Sequence, residues 1–93
     1  MITIVAGTNR RGSITSIFAE NISSIYSRHE VKSKVLDLAE LPPETFSPDA
    51  YLEKPPKVLE FTSHILDSSG IVIVVPEYNG SMPGALKLSL IHI

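Results

Sequence analysis

The stretch GIVIVVPEYNGSMPGALK, residues 70–87, contains the features that decide the fold. Residues 70–75 are an apolar, β-branched run bounded by glycine and proline, which is typical of a central parallel strand buried on both faces. A loop with Asn-Gly at 79–80 and two prolines follows, and residues 85–87 resemble the first turn of a helix. The stretch therefore predicts a strand that leads through a long polar loop into a helix.

The preceding residues predict two more strands and two more helices. A short β-branched run ends at Gly7, and apolar residues then recur at steps of three and four, as on one face of a helix. Two lysines alternate with apolar residues in the next strand, which suits the edge of a sheet. The predicted order is β1 (Ile2–Ala6), α1 (from Ser13 to the polar residues 27–30), β2 (Val31–Leu36), α2 (after Pro55-Pro56), β3 (70–75) and a third helix.

Alternating strands and helices predict an α/β fold with a doubly wound parallel sheet and helices on both faces, in three α/β/α layers. In such sheets ligands bind beyond the carboxyl ends of the strands, where the loops after β1 and β3 lie. The segment 39–56 is rich in proline and acidic residues. It is predicted to be an irregular crossing and a candidate lid or interface.

The length, charge and composition of the chain exclude several classes of function. With 93 residues and a net charge of -2, the chain suits one small domain and offers no basic field for nucleic acid. It has no cysteine, and its three histidines have no metal-binding spacing. The apolar start, residues 1–7, is too short for a signal peptide or a membrane span. A cytoplasmic protein without a membrane or nucleic-acid partner is expected.

The loop GTNRRGSITS, residues 7–16, has the chemistry of a phosphate site: hydroxyls and two arginines at a helix amino terminus. Ser13 stands where a Walker loop needs lysine, and Asn9 replaces the second glycine of a dinucleotide fingerprint. A terminal monophosphate, such as that of FMN, fits better. The alternative is that Ser13 or Thr15 only caps α1 while Arg10 and Arg11 are solvated.

The second loop, PEYNGSMPG at 76–84, follows β3. A rigid loop of this kind can lay backbone amides along the polar edge of a flat heterocycle, with Tyr78 in aromatic contact. The alternative is a plain strand-to-helix turn that uses Asn-Gly for its backbone angles.

Together the two loops resemble those of NADPH-dependent FMN reductases of flavodoxin-like fold, which include azo, quinone and chromate reductases. The family's loops read approximately G-S-x-R-x-x-S-x-N and P-E-Y-N-G-S-x-P-G-x-L-K, and the second is matched in full. The resemblance covers residues 1–87. In the first loop Thr8 replaces serine and keeps the hydroxyl, whereas Thr15 replaces asparagine.

The resemblance implies that FMN passes hydride from NAD(P)H to a small acceptor: a quinone, an azo dye, a metal oxyanion or free flavin. It implies no catalytic side chain, since Glu77 is more simply a solvated or interface residue, and it implies a homodimer or homotetramer. The alternatives are a flavodoxin-like electron carrier and an inactive remnant. The resemblance further implies that the FMN phosphate is held by Thr8, Arg10, Ser13 and Thr15, and that the isoalloxazine and ribityl chain are bordered by Pro76, Glu77, Tyr78, Asn79, Gly80 and Ser81.

The end of the chain departs from the family pattern. The flavodoxin-like sheet has five strands in the order 2-1-3-4-5, so a chain truncated after the third strand leaves the edge of β3 open. Residues 88–93 read LSLIHI, the literal translation of CTGTCTCTTATACACATC, a transposon end used in library preparation. We therefore predict a domain at 1–87 and a non-native tail at 88–93, and we expect this segment alone to be a poor enzyme.

Overall fold

The computed structural model describes residues 1–92, so the last residue of the predicted tail lies outside the described residues. Three short 3-10 turns fill most of the segment between β2 and α2, where the sequence predicted an irregular crossing. The strands and helices are β1 (Ile2–Ala6), α1 (Ile14–Arg28), β2 (Ser33–Asp37), α2 (Pro56–Leu66), β3 (Gly70–Val74) and α3 (Gly84–His92), and the turns are Leu38–Glu40, Pro43–Phe46 and Pro48–Tyr51.

The strands form one parallel sheet in the order β2-β1-β3, with Ile2 opposite Ser33 on one side and Gly70 on the other. This confirms the predicted α/β fold with a flavodoxin-like parallel sheet. The lysine-bearing β2 lies at an edge, as its pattern predicted. The carboxyl ends of β1 and β3 therefore lie side by side.

Alternate residues of β1 enter two separate cores, because successive side chains of a strand point to opposite faces. Val5 joins a core formed with α2, α3 and the first 3-10 turn. Ile4 and Ala6 pack under α1. The three-layer arrangement is thereby confirmed. The first core consists of Val5, Leu36, Leu38, Leu41, Val58, Phe61 and Leu86, and the second of Ile4, Ala6 and Ala19.

Two apolar surfaces are more exposed than their sequence pattern suggests. In β3, predicted to be central and fully buried, Ile71 is 50% and Ile73 40% exposed, because β1 is the central strand and β3 is an edge. In α1 the small Ala19 faces the sheet, with Ile22 and Tyr26 packed beside it. The other apolar residues of α1 lie outside that contact, and Ile14, Ile17, Phe18 and Ile25 are 45–83% exposed.

Helix α3 continues through most of the predicted tail. Ser89 is buried, and its hydroxyl donates to the carbonyl of Ala85 at 2.7 Å. The non-native origin of residues 88–93 stays a prediction. Among the described residues no helix has both the length and the hydropathy needed to cross a membrane.

Candidate functional site

The loops after β1 and β3 meet in a cavity of about 270 Å³ at the carboxyl end of the sheet. Both predicted loops contribute, as expected for adjacent parallel strands. Two arginines and four hydroxyl-bearing side chains line the cavity, and none of its lining residues is acidic. The lining consists of Thr8, Arg10, Arg11, Gly12, Ser13, Ile14, Thr15, Pro76 and Tyr78.

Gly7 brings the two loops together. Its N–H donates to the carbonyl oxygen of Val74 at 2.8 Å, which extends the contact between β1 and β3 by one residue. A Cβ at Gly7 would lie 2.8 Å from that oxygen and 3.2 Å from Leu86 Cδ2. Only glycine allows this approach without displacement of the backbone.

The first loop ends in a capped helix. Ser13 is the N-cap of α1, and its hydroxyl accepts a hydrogen bond from Ser16 N at 3.0 Å. The capping role weighed for Ser13 is thus observed. The amino end of α1 carries the positive end of the helix dipole, and Arg10 and Arg11 add full charges to the same cavity. These positive charges favour the binding of an anion in the cavity.

Thr8 and Tyr78 connect the two loops. Thr8 is completely buried, and its hydroxyl accepts from Arg10 N at 3.2 Å. The same oxygen lies 3.0 Å from Tyr78 Oη. Tyr78 is 41% exposed and also lines the cavity. The phenol is therefore held against the first loop.

The tip of the second loop is a tight turn. Tyr78 and Ser81 exchange backbone hydrogen bonds of 2.8 and 3.1 Å, while Asn79 and Gly80 have φ of 53° and 77°. Positive φ at both central residues is the type I′ geometry that Asn-Gly favours. Four predicted residues, Glu77, Asn79, Gly80 and Ser81, are exposed and lie outside the cavity lining. Their contact with the isoalloxazine stays a prediction.

Asp37, which the sequence analysis did not single out, joins three elements behind the site. Its Oδ2 accepts from the Ser16 hydroxyl of α1 at 3.1 Å, and its Oδ1 accepts from Ala39 N at 2.9 Å. Asp37 thus fixes the amino end of α1 to the end of β2 and to the first 3-10 turn. Its place at the end of a strand beside a binding loop is the signal that could have identified it.

We expect Asp37→Ala to lower the free energy of unfolding by about 1–2 kcal/mol, because it removes a cap and a charged hydrogen-bond acceptor. Urea unfolding followed by circular dichroism measures the change. The exposed Asp67 at the end of α2 offers a matched control, and Asp67→Ala should stay within about 0.5 kcal/mol of the parent protein. Equal effects of the two substitutions would contradict the anchoring role.

Arg11 is a charged residue of the cavity lining that was not among the predicted phosphate ligands. It lines the first cavity and also a second one of about 260 Å³ next to the 3-10 turns. The sequence analysis counted it among the two arginines of the first loop but did not assign it to the phosphate. The remaining lining of the second cavity is Asn9, Ala39, Leu41, Pro43 and Phe46.

A further cavity and the histidine at the end of α1 lie away from the two predicted loops. A concavity of about 600 Å³ opens near the amino ends of β1 and β2 and contains no residue of either predicted loop. His29 caps the carboxyl end of α1 on the surface. Among the side chains that the structure describes, no group of three histidines, aspartates or glutamates is placed to hold a metal ion.

The parallel sheet, with a cavity lined by two arginines at its carboxyl edge, defines a flavodoxin-like α/β protein. Solved structures agree on the fold. An NADH:FMN oxidoreductase in its apo form superposes with a TM-score of 0.80 at 22% identity, covering 99% of this chain and 49% of that one. The NAD(P)H:acceptor oxidoreductase FerB from Paracoccus denitrificans gives 0.74 at 22% identity, covering 98% and 48%.

The family model for NADPH-dependent FMN reductase matches residues 1–91, and the chain belongs to this family. A 2-hydroxy-1,4-benzoquinone reductase from a Burkholderia species is 35% identical over 89 residues, 96% of this chain and 47% of that protein. A quinone reductase from Escherichia coli is 30% identical over 88 residues, 92% of this chain and 46% of that protein. The chain spans just under half the length of these relatives.

Proposed function

We propose that this chain forms the phosphate-binding part of an FMN-dependent NAD(P)H oxidoreductase that reduces quinones. The observation that carries the proposal is the cavity in which Arg10, Arg11 and the amino end of α1 converge without an acidic neighbour in its lining. Membership of the FMN reductase family supports FMN as the ligand, and the names of the relatives support a quinone as the acceptor.

The residues present fit the cofactor's phosphate. Arg10, Ser13 and Thr15 offer charge-assisted and hydroxyl hydrogen bonds at a helix amino terminus, with Thr8 behind them. The cavity is slightly smaller than typical pockets for whole ligands, so it suits the phosphate and part of the ribityl chain. Pro76 to Ser81 would border the rest of the ribityl chain and the isoalloxazine.

When bound, FMN would supply the hydride transfer between nicotinamide and acceptor. The chain's own contribution is to hold the anionic end and to set the distance between the two loops through Gly7 and Thr8. We assign no acid or base to the protein, since Glu77 is exposed and lies outside the cavity lining. We propose in addition that the whole protein is a cytoplasmic homodimer or homotetramer. Its other possible acceptors are azo dyes, metal oxyanions and free flavin.

The protein expressed from its natural gene should bind added FMN and should then oxidise NADH or NADPH continuously when a benzoquinone is supplied as the acceptor. Titration of flavin fluorescence measures binding, and loss of nicotinamide absorbance measures turnover. Bound flavin without nicotinamide oxidation would point to an electron carrier. Failure to bind FMN would point to an inactive remnant and would refute the proposal.

A further inference from the structure

The tip of the second loop places an asparagine directly before a glycine on an open surface. Asn79 and Gly80 are the two middle residues of the turn that Tyr78 and Ser81 close. All four residues are exposed. A Cβ placed on Gly80 would meet no atom within 4 Å. No neighbouring element therefore covers this part of the turn.

The two groups of the Asn-Gly pair that can react with each other are not held by hydrogen bonds. Among the described residues, no hydrogen bond uses the Gly80 N–H or the side-chain amide of Asn79. The N–H groups of Tyr78 and Ser81, by contrast, donate to each other's carbonyl oxygens at 2.8 and 3.1 Å. The nitrogen of Gly80 and the amide carbon of Asn79 are thus adjacent in the chain, at an exposed turn, and without partners.

We propose that Asn79 is a site of spontaneous deamidation through a cyclic imide. The Gly80 nitrogen loses its proton and bonds to Cγ of Asn79, while the bond from Cγ to Nδ2 breaks and that nitrogen leaves with the proton as ammonia. One water molecule then opens the imide at either carbonyl. The products are aspartate and isoaspartate, in which the main chain runs through the side-chain carbon. No atom is oxidised or reduced, and water is the only co-reactant.

The glycine and the exposed turn together allow this reaction. A side chain on the residue after asparagine would crowd the attacking nitrogen, and Gly80 has none. Ring closure also requires rotation about the bond between Cα and the carbonyl carbon of Asn79, which breaks the two hydrogen bonds of the turn. These bonds lie at an exposed loop tip, where local opening costs little free energy. The turn therefore slows the reaction without preventing it.

The two other asparagines of the chain serve as internal controls. Asn9 is exposed in the first loop and precedes Arg10, and Asn21 is exposed on α1 and precedes the β-branched Ile22. Each is followed by a residue whose side chain crowds the attacking nitrogen, and within α1 the helical hydrogen bonds also hold the backbone. We expect Asn79 to convert first.

The products would change the loop beside the cavity. Both add a negative charge next to Tyr78, and isoaspartate also adds a carbon to the main chain between Tyr78 and Ser81, so that the turn no longer closes. Tyr78 lines the cavity that contains two arginines, and its hydroxyl lies 3.0 Å from Thr8 Oγ1. The expected consequence, which rests on the proposed function, is a gradual loss of FMN affinity as the protein ages.

The test incubates the protein expressed from its natural gene at mildly alkaline pH. Peptide mass spectrometry should show a gain of about one dalton at Asn79, ahead of Asn9 and Asn21. The rate should rise with hydroxide concentration, because the Gly80 nitrogen must lose its proton, and enzymatic methylation of isoaspartate should label the same peptide. The matched control is Asn79→Gln, which should not gain mass over the same period, since its longer side chain closes a larger ring far more slowly.

The outcomes separate this proposal from the proposed function. A mass gain that appears first at Asn9 or Asn21, or at none of the three asparagines, would overturn the deamidation. In the fully converted protein the Kd for FMN should rise about fivefold, the equivalent of one lost hydrogen bond, and it should stay constant in Asn79→Gln treated in the same way. An unchanged Kd would overturn the loss of affinity. If the untreated protein binds no FMN, the proposed function is wrong, while the mass measurement still decides the deamidation. Circular dichroism shows that Asn79→Gln keeps the fold.

Discussion

Gly7→Ala should lower the free energy of unfolding by about 2–3 kcal/mol, because the new methyl group would overlap the backbone of β3. Its carbon would lie 2.8 Å from the carbonyl oxygen of Val74. The same oxygen accepts the Gly7 N–H at 2.8 Å, so relief of the clash must break that hydrogen bond and separate the two loops. Urea unfolding measures the stability, and FMN binding should fall with it because the cavity lies between those loops.

Gly84→Ala is the matched control for this prediction. A Cβ at Gly84 meets no atom within 4 Å, and the residue begins α3, where alanine is favoured over glycine. It should leave stability unchanged or raise it by up to about 1 kcal/mol. If Gly7→Ala were as stable as Gly84→Ala, the close approach of the two loops would be wrong.

The double substitution Arg10→Ala with Arg11→Ala should raise the Kd for FMN about 100-fold, since each guanidinium contact with a phosphate contributes about 1.5 kcal/mol or more. Both side chains are exposed, so the fold should stay intact. The loss should shrink as salt is raised, because ions screen exposed charges. Flavin fluorescence titrations at two salt concentrations measure both effects.

The control removes the same net charge at the other end of the sheet. Lys32→Ala with Lys34→Ala changes two exposed cations at the start of β2, far from the cavity. It should alter the Kd for FMN by less than about threefold, since screening suppresses distant charges. Equal losses in the two double variants would mean that only the overall field attracts FMN and that no phosphate site exists at this loop.

The sequence by itself determined which segments form strands, which form helices, and in what order they follow along the chain. Strand and helix periodicities are local, so β1 was predicted with its observed bounds and α1 and α2 with nearly the observed bounds. Prolines and glycines likewise marked the two loops that meet in the cavity. The order of the strands, β2-β1-β3, agrees with the order that the resemblance to the flavodoxin-like family implied.

Only the tertiary structure showed the contacts between residues that are far apart in the sequence, and the burial that results from those contacts. Thr8 and Tyr78 are 70 positions apart, and neither motif reveals that their hydroxyls meet. The exposure of Ile14 and of Ile71 likewise depends on which surfaces pack against α1 and β3. A local sequence pattern shows which side chains share one face of a helix or strand. Whether those side chains are buried or hydrogen-bonded depends on the residues that pack against that face, and these are brought there only when the chain folds.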